Sequence, residues 1–503
     1  MTEPRNDLSL MRVPSGIAGL DRVLSGGFLR GGVYIVQGVP GAGKTILANQ
    51  MCFNHVARGG RAVYVTLLAE SHARMLQHLG AMSFYDEGAI PDRLYYVSAF
   101  KMLEDDGLKG LLDMLRREIR GQRASLVVLD GLVAAEETAP SDREFKKFIH
   151  EVQMHAAMND CTTLLLTSGG TGRVSPEHTM VDGLIELDDR VVDVRTERSL
   201  LVRKFRGSAS LRGRHAFRIT GNGLVVFPRI EAAFATPSRP DHATHERVAS
   251  GVDGLDEVLD GGFFRASTTV LFGPTGTGKT TAGLQFLASA REDDPGLLFG
   301  FYETPDRLRV KAESLGIDLA GLEARGAVDI VWQAQGENLL DELGYRLLDA
   351  VERRGARRLF VDGLGAIVES TADPQRMSRF VAALSNELRV RGVTTLYTLE
   401  SSTILGPALE VPIRGISSLA ECLIALRHVE VEATTRRVLS ILKVRNSGFD
   451  PALREFEITG RGMRLVGPFR GYERILSGYA HSPDRDGHSP AVPPSPQRPS
   501  RRE

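Results

Sequence analysis

Two stretches of the chain have the residue types and spacing to hold a triphosphate. Gly38-Val-Pro-Gly41-Ala-Gly43-Lys44-Thr45 and Gly273-Pro-Thr-Gly276-Thr-Gly278-Lys279-Thr280 both fit GxxxxGK[ST]. Glycines let successive backbone N–H groups turn inward around phosphate oxygens. A helix starting at the lysine adds a partial positive charge. Lys44 and Lys279 are placed to reach the β- and γ-phosphates, and the Thr45 and Thr280 hydroxyls to meet Mg²⁺. Glycine-rich turns also occur without nucleotides. Two full matches, each after an apolar run and before a helical pattern, argue for ATP with Mg²⁺.

The chemistry needs carboxylates as well. SLVVLD ends at Asp130 and RRLFVD at Asp362, at similar distances beyond the two loops. An apolar run ending in Asp is a common strand exit, and after a phosphate loop it is also the usual Mg²⁺ partner. A carboxylate to orient or deprotonate an attacking water is expected after the next strand, where the acidic candidates are Glu70 and Glu303. The same residues would also suit the first turn of a helix, so both readings stand.

The elements that must position these groups repeat. RVPSGIAGLDRVLSGGFLRGGVYIVQGVPGAGKT from Arg12 and RVASGVDGLDEVLDGGFFRASTTVLFGPTGTGKT from Arg247 match without a gap. LVRKFRGS at Leu201 echoes ILKVRNSG at Ile441. One unit copied twice predicts domains over 1–235 and 247–480, a polar linker at 236–246, and a disordered tail at 481–503. VYIVQG, RAVYVTLL, SLVVLD and TTLLLTS read as buried parallel strands, while 141–158 and 374–390 read as helices. The expected fold is α/β: two tandem RecA-like phosphate-loop domains, each a mostly parallel sheet flanked by helices.

Composition limits the alternatives. The 503 residues carry 62 Lys plus Arg against 63 Asp plus Glu, and this balance speaks against a dedicated nucleic-acid binder. Three scattered cysteines (Cys52, Cys161 and Cys422) suggest neither a disulfide framework nor a zinc site and point to a reducing cytoplasm. Met1 to Leu10 lacks an apolar signal core, and no apolar run reaches membrane-spanning length.

The doubled unit, its SG(I/V)xGLDxxLxGG entry, the paired loops and the late Lys-x-Arg motifs resemble the KaiC family, cyanobacterial circadian-clock ATPases and autokinases. The resemblance covers nearly the whole chain except the tail, and the double copy is its most specific feature. It implies hexameric double rings with ATP at the subunit interfaces. It also implies that Lys204 and Arg206, and Lys443 and Arg445, reach the γ-phosphate bound by a neighbouring subunit, with Arg198 and Arg437 as further matches. The family phosphorylates itself on an adjacent hydroxyl pair, which falls here on Ser417 and Ser418. An ordinary helix N-cap is the plain alternative for these serines. Copy one has no such pair in HTMVDGLIE. FRGYERILSG from Phe469 resembles the family's C-terminal segment. One departure stands out: the family has two consecutive glutamates where this chain has Ala69-Glu70 and Tyr302-Glu303.

Three functions fit these features. The first is a slow ATPase and serine autokinase in a ring, for signalling or clock-type regulation. The second is a nucleotide-switched scaffold that docks partners with little chemistry. The third is a RecA- or DnaB-like DNA motor, against which the charge balance speaks.

Overall fold

The computed structural model describes residues 11–68, 72–168, 177–192, 194–241, 244–371, 373–401, 413, 415–431, 434–445 and 447–469. The tail at 481–503, most of the C-terminal segment and Glu70 lie outside them. The chain separates into two compact units, 1–236 with 337–345, and 237–336 with 346–503.

In the first unit the loop strand β1 (Val33–Gly38) leads into α1 (Lys44–Ala57), then β2 (Ala62–Thr66), β3 (Leu94–Ser98) and α2 (Phe100–Gly121). β4 (Leu126–Asp130), α3 (Asp142–Met158) and β5 (Thr162–Thr167) follow, then the short α4 (Glu177–Met180). Four strands close the unit: β6 (Gly183–Val192), β7 (Arg195–Phe205), β8 (Arg214–Thr220) and β9 (Gly223–Phe227). The nine-stranded sheet runs β9-β8-β7-β6-β1-β5-β4-β2-β3. It is parallel from β3 through β6 and antiparallel beyond.

The apolar runs become central strands because both faces are covered. Tyr34, Val36, Tyr64 and Val128 point into one core, and Val33, Ile35, Val65 and Leu129 into the other. α3 begins where Ser141 caps Glu144 N, as the Ser-x-x-Glu spacing predicts.

The second unit repeats the plan. β10 (Thr268–Gly273) leads into α5 (Lys279–Ala288), followed by β11 (Gly296–Gly300), β12 (Val328–Trp332), β13 (Arg358–Asp362), α6 (Met377–Val390), β14 (Thr394–Glu400) and α7 (Ile416–Leu419). β15 (Cys422–Val431), β16 (Thr434–Val444), β17 (Arg454–Thr459) and β18 (Gly462–Pro468) complete it. Its order, β12-β11-β13-β14-β10-β15-β16-β17-β18, is that of the first sheet. Both are the mostly parallel α/β sheets that the sequence predicts. Cys52, Cys161 and Cys422 are free and buried, and no described helix is long and apolar enough to cross a membrane.

Candidate nucleotide sites

Each loop leaves the carboxyl end of its central strand at the point where the strand order reverses, the usual ligand crevice of an open α/β sheet. The first glycine is fixed by crowding. A Cβ on Gly38 would come within 2.5 Å of the Leu187 carbonyl, and one on Gly273 within 2.2 Å of the Leu426 carbonyl. Gly43 and Gly278 precede the helices with φ of 97° and 96°, a left-handed geometry that other residues rarely adopt. Neither helix start carries a side-chain cap, so its first N–H groups point into the loop.

The lysines are held by the loops themselves. Lys44 Nζ donates to the Gly38 and Val39 carbonyls at 2.7 and 3.1 Å, and Lys279 Nζ to those of Gly273 and Pro274 at 2.8 and 2.7 Å. Burial lowers both ammonium pKa values, opposed by Asp130 at Lys44 and by Glu400 and Asp362 at Lys279. A partly desolvated cation of this kind gains from an incoming anion.

Thr45 Oγ1 lies 3.4 Å from Asp130 Oδ2, and Thr280 Oγ1 donates to Asp362 Oδ2 at 2.9 Å. These hydroxyl–carboxylate pairs are hard oxygen donors of the kind Mg²⁺ takes. The described residues contain no cluster of three or more His, Cys, Asp or Glu that could cage a metal. A two-oxygen pair completed by phosphate and water suits Mg²⁺ bound with its nucleotide.

The two copies anchor this carboxylate from opposite sides. Tyr64 on β2 donates to Asp130 Oδ2 at 2.7 Å, and burial, then the Asp130 charge, pushes the phenol pKa well up so that it stays a donor. In the second copy Leu298 takes the register place of Tyr64. There Thr398, on β14 across the other flank, donates to Asp362 Oδ1 at 2.7 Å and accepts from Gly363 N at 2.8 Å. Asp362 is 9% exposed, and its burial raises the carboxyl pKa despite both threonine hydrogen bonds.

Around the second loop lies a cavity of about 470 Å³ that gathers Gly276, Gly278, Lys279, Thr280, Glu303 and Asp362. Tyr302, next to Glu303, also lines it, as do Lys311, Thr398, Glu400 and Ile458, which no motif in the sequence marks. Glu303 lies ahead of its helix, which starts at Pro305 after the N-cap Thr304, so the first-turn reading does not hold. Its carboxylate pairs with Lys311 Nζ. The strands before the two glutamates are in register, Thr66 opposite Asp130 and Gly300 opposite Asp362. Glu303 is thus the third residue past its strand and Glu70 the fourth. Matching them requires one extra residue in the first copy.

The remaining candidates form separate clusters and do not line that cavity. Lys204 Nζ donates to the His178 and Thr179 carbonyls at 3.1 and 2.8 Å, and Arg206 to those of Met180 and Thr179 at 3.1 and 2.8 Å. In the second copy Lys443 donates to the Ala420 carbonyl at 2.8 Å and also to that of Ser417, while Arg445 donates to that of Ser418. The serines are exposed and sit inside α7, whose N-cap is Gly415, so they are not the cap. Arg198 bonds Asp189 at 3.1 Å, whereas Arg437 stands opposite His428, with its Nε unpartnered among the described residues. A Cβ on Gly276 would lie 3.9 Å from His428 Nε2, which places this histidine beside the loop.

A family model described as the KaiC ATPase matches residues 13–231 and 248–468. Over 500 residues the chain is 26% identical to the circadian clock oscillator protein KaiC of Parathermosynechococcus lividus, covering 95% of this chain and 91% of that one. The KaiC of Picosynechococcus sp. is 27% identical over 488 residues, covering 93% and 92%. KaiC 1 of Synechocystis sp. is 25% identical over 482 residues, with the same coverage. With the family match spanning both halves of the doubled sheet, the chain belongs to the KaiC family of ATPases.

Proposed function

We propose that this protein binds two Mg²⁺–ATP per chain, turns ATP over slowly, and transfers phosphate to its own Ser417 or Ser418 within a nucleotide-bridged ring, a hexamer as in the family resemblance. The first domain runs over 1–235 and the second over 247–480, joined by 236–246. Thr45 with Asp130 and Thr280 with Asp362 would hold Mg²⁺, whose charge neutralises the β- and γ-phosphate oxygens. Gly38, Gly41 and Gly43, and Gly273, Gly276 and Gly278, wrap the phosphates, with Lys44 and Lys279 as their cations. The observation carrying the autokinase reading is the grip of Lys443 and Arg445 on the backbone of the Ser417–Ser418 turn. A neighbour's γ-phosphate drawn to that Lys-x-Arg would arrive beside two exposed hydroxyls. Lys204 and Arg206 hold the matching turn of the first copy, where His178 and Thr179 stand in place of the serine pair. Incubation with γ-labelled ATP followed by peptide mapping is expected to place label on Ser417 or Ser418. An unlabelled ring that still binds ATP would refute the kinase half.

A scaffold with little turnover is the second reading. Tyr302 in place of the family's first glutamate and the Lys311 pairing of Glu303 favour it. ATP turnover equal to that of a K44A/K279A double variant, with nucleotide still bound by the unaltered protein, would decide for it.

A further inference from the structure

We propose that Glu400 is the general base of the second nucleotide site. The inference rests on the ATPase reading above. Glu400 is the last residue of β14 and pairs in register with Gly273, the first residue of the phosphate loop. It is exposed at the mouth of the cavity that holds Lys279, Thr280 and Asp362. Among the described residues its carboxylate has no hydrogen-bond or ion-pair partner.

The other acidic groups of the cavity are engaged. Asp362 accepts from Thr280 and Thr398, and Glu303 is tied to Lys311. Tyr302, at the place of the family's first glutamate, cannot substitute for a carboxylate, because burial raises its phenol pKa and keeps it protonated at neutral pH. Glu400 lines the same cavity as Lys279 and stands in register beside Gly273, and its charge acts to raise the Lys279 ammonium pKa against the lowering by burial. A base must be free to accept a proton and close to the transferring group. Glu400 is without a hydrogen-bond or ion-pair partner among the described residues and lines the cavity that holds Lys279 and Thr280.

The nucleophile is an O–H group, either water or a serine hydroxyl of a neighbouring copy. Its proton passes to the Glu400 carboxylate as its oxygen bonds the γ-phosphorus. The bond from that phosphorus to the β–γ bridging oxygen breaks, and ADP leaves with the electron pair. In the first copy β5 ends at Thr167, opposite Gln37, and the next residue, at the place of Glu400, is Ser168. The base is therefore a property of the second copy alone.

The test compares E400Q, E303Q, K279A and K44A/K279A with the unaltered protein, following inorganic phosphate release, phosphoserine and binding of a fluorescent ATP analogue. E400Q is expected to bind the analogue at both copies yet lose second-site turnover by about a hundredfold, falling to the level of K279A. The acid limb of the pH–rate profile should disappear with it. Turnover retained in E400Q, or lost in E303Q instead, overturns the proposal. So does an unaltered protein no faster than K279A, since the second site would then be idle. Turnover of the unaltered protein equal to that of K44A/K279A instead removes the ATPase reading itself, and the proposal with it.

Discussion

Asp362 shows how a single side chain sets stability against function. Burial raises its carboxyl pKa, and the Thr280 and Thr398 hydroxyls only partly offset the cost of its charge. An acid whose folded pKa is raised contributes stability that is present below the unfolded value and lost as pH rises through the folded one. At neutral pH the ionised carboxylate is therefore a cost that a bound cation would relieve. D362N is expected to raise the melting temperature of the nucleotide-free protein at neutral pH and to remove the Mg²⁺–ATP-dependent stabilisation of the second unit. Calorimetry with and without nucleotide reads both, and a lower nucleotide-free melting temperature would contradict the account. In the unaltered protein, Mg²⁺-dependent binding at the second site should weaken as pH falls through the raised Asp362 pKa. Asp130 and Asp362 are legible in the sequence as apolar runs ending in Asp. Their anchors are not, because Tyr64 lies upstream of Asp130 and Thr398 downstream of Asp362. No shared spacing marks two donors that approach from opposite neighbouring strands.

At the scale of elements, the parallel strands hold the site residues at their carboxyl ends and depend on apolar packing from both faces. Leu129, next to Asp130, is wholly buried between β4 and the helices. Leu129→Ala should cost about 2–5 kcal/mol by thermal or denaturant unfolding. A cost below 1 kcal/mol would mean that this face is not close-packed. The short α7 relies on Lys443 and Arg445 to hold its carbonyls, since four residues make no self-sufficient helix. Lys443→Met should remove about 1 kcal/mol of local stability at this half-buried site. Amide exchange over residues 416–420 should then rise roughly fivefold, and unchanged exchange would show that α7 is held some other way. The Lys-x-Arg spacing is visible in the sequence, but its grip on the serine turn is not, because the turn and the strand meet only through the pairing of β15 with β16. Glu400 is hidden in the sequence for a similar reason. More than a hundred residues separate it from Gly273, and only the pairing of β14 with β10 makes them neighbours.

For the whole molecule, the repeat in the sequence becomes two sheets of identical strand order, and the two phosphate loops occupy the same place in each. Duplication thus made the fold and the ATP-binding core legible from one chain. The differences between the copies are less legible, because they lie in single side chains placed by register: Tyr64 against Leu298, Leu166 against Thr398, Ser168 against Glu400, and His178-Thr179 against Ser417-Ser418. Two of these differences exchange the anchor of a carboxylate that both copies keep, and the other two give the second copy the glutamate and the serine pair on which the proposed chemistry rests. The central claim is that one chain carries two separate Mg²⁺–ATP sites. Native mass spectrometry with ATP and Mg²⁺ tests it most directly. The account predicts a ring of six chains with two nucleotides per chain, one per chain in either K44A or K279A, and none in the double variant. A single nucleotide per chain in the unaltered protein, or two in K44A, would contradict it.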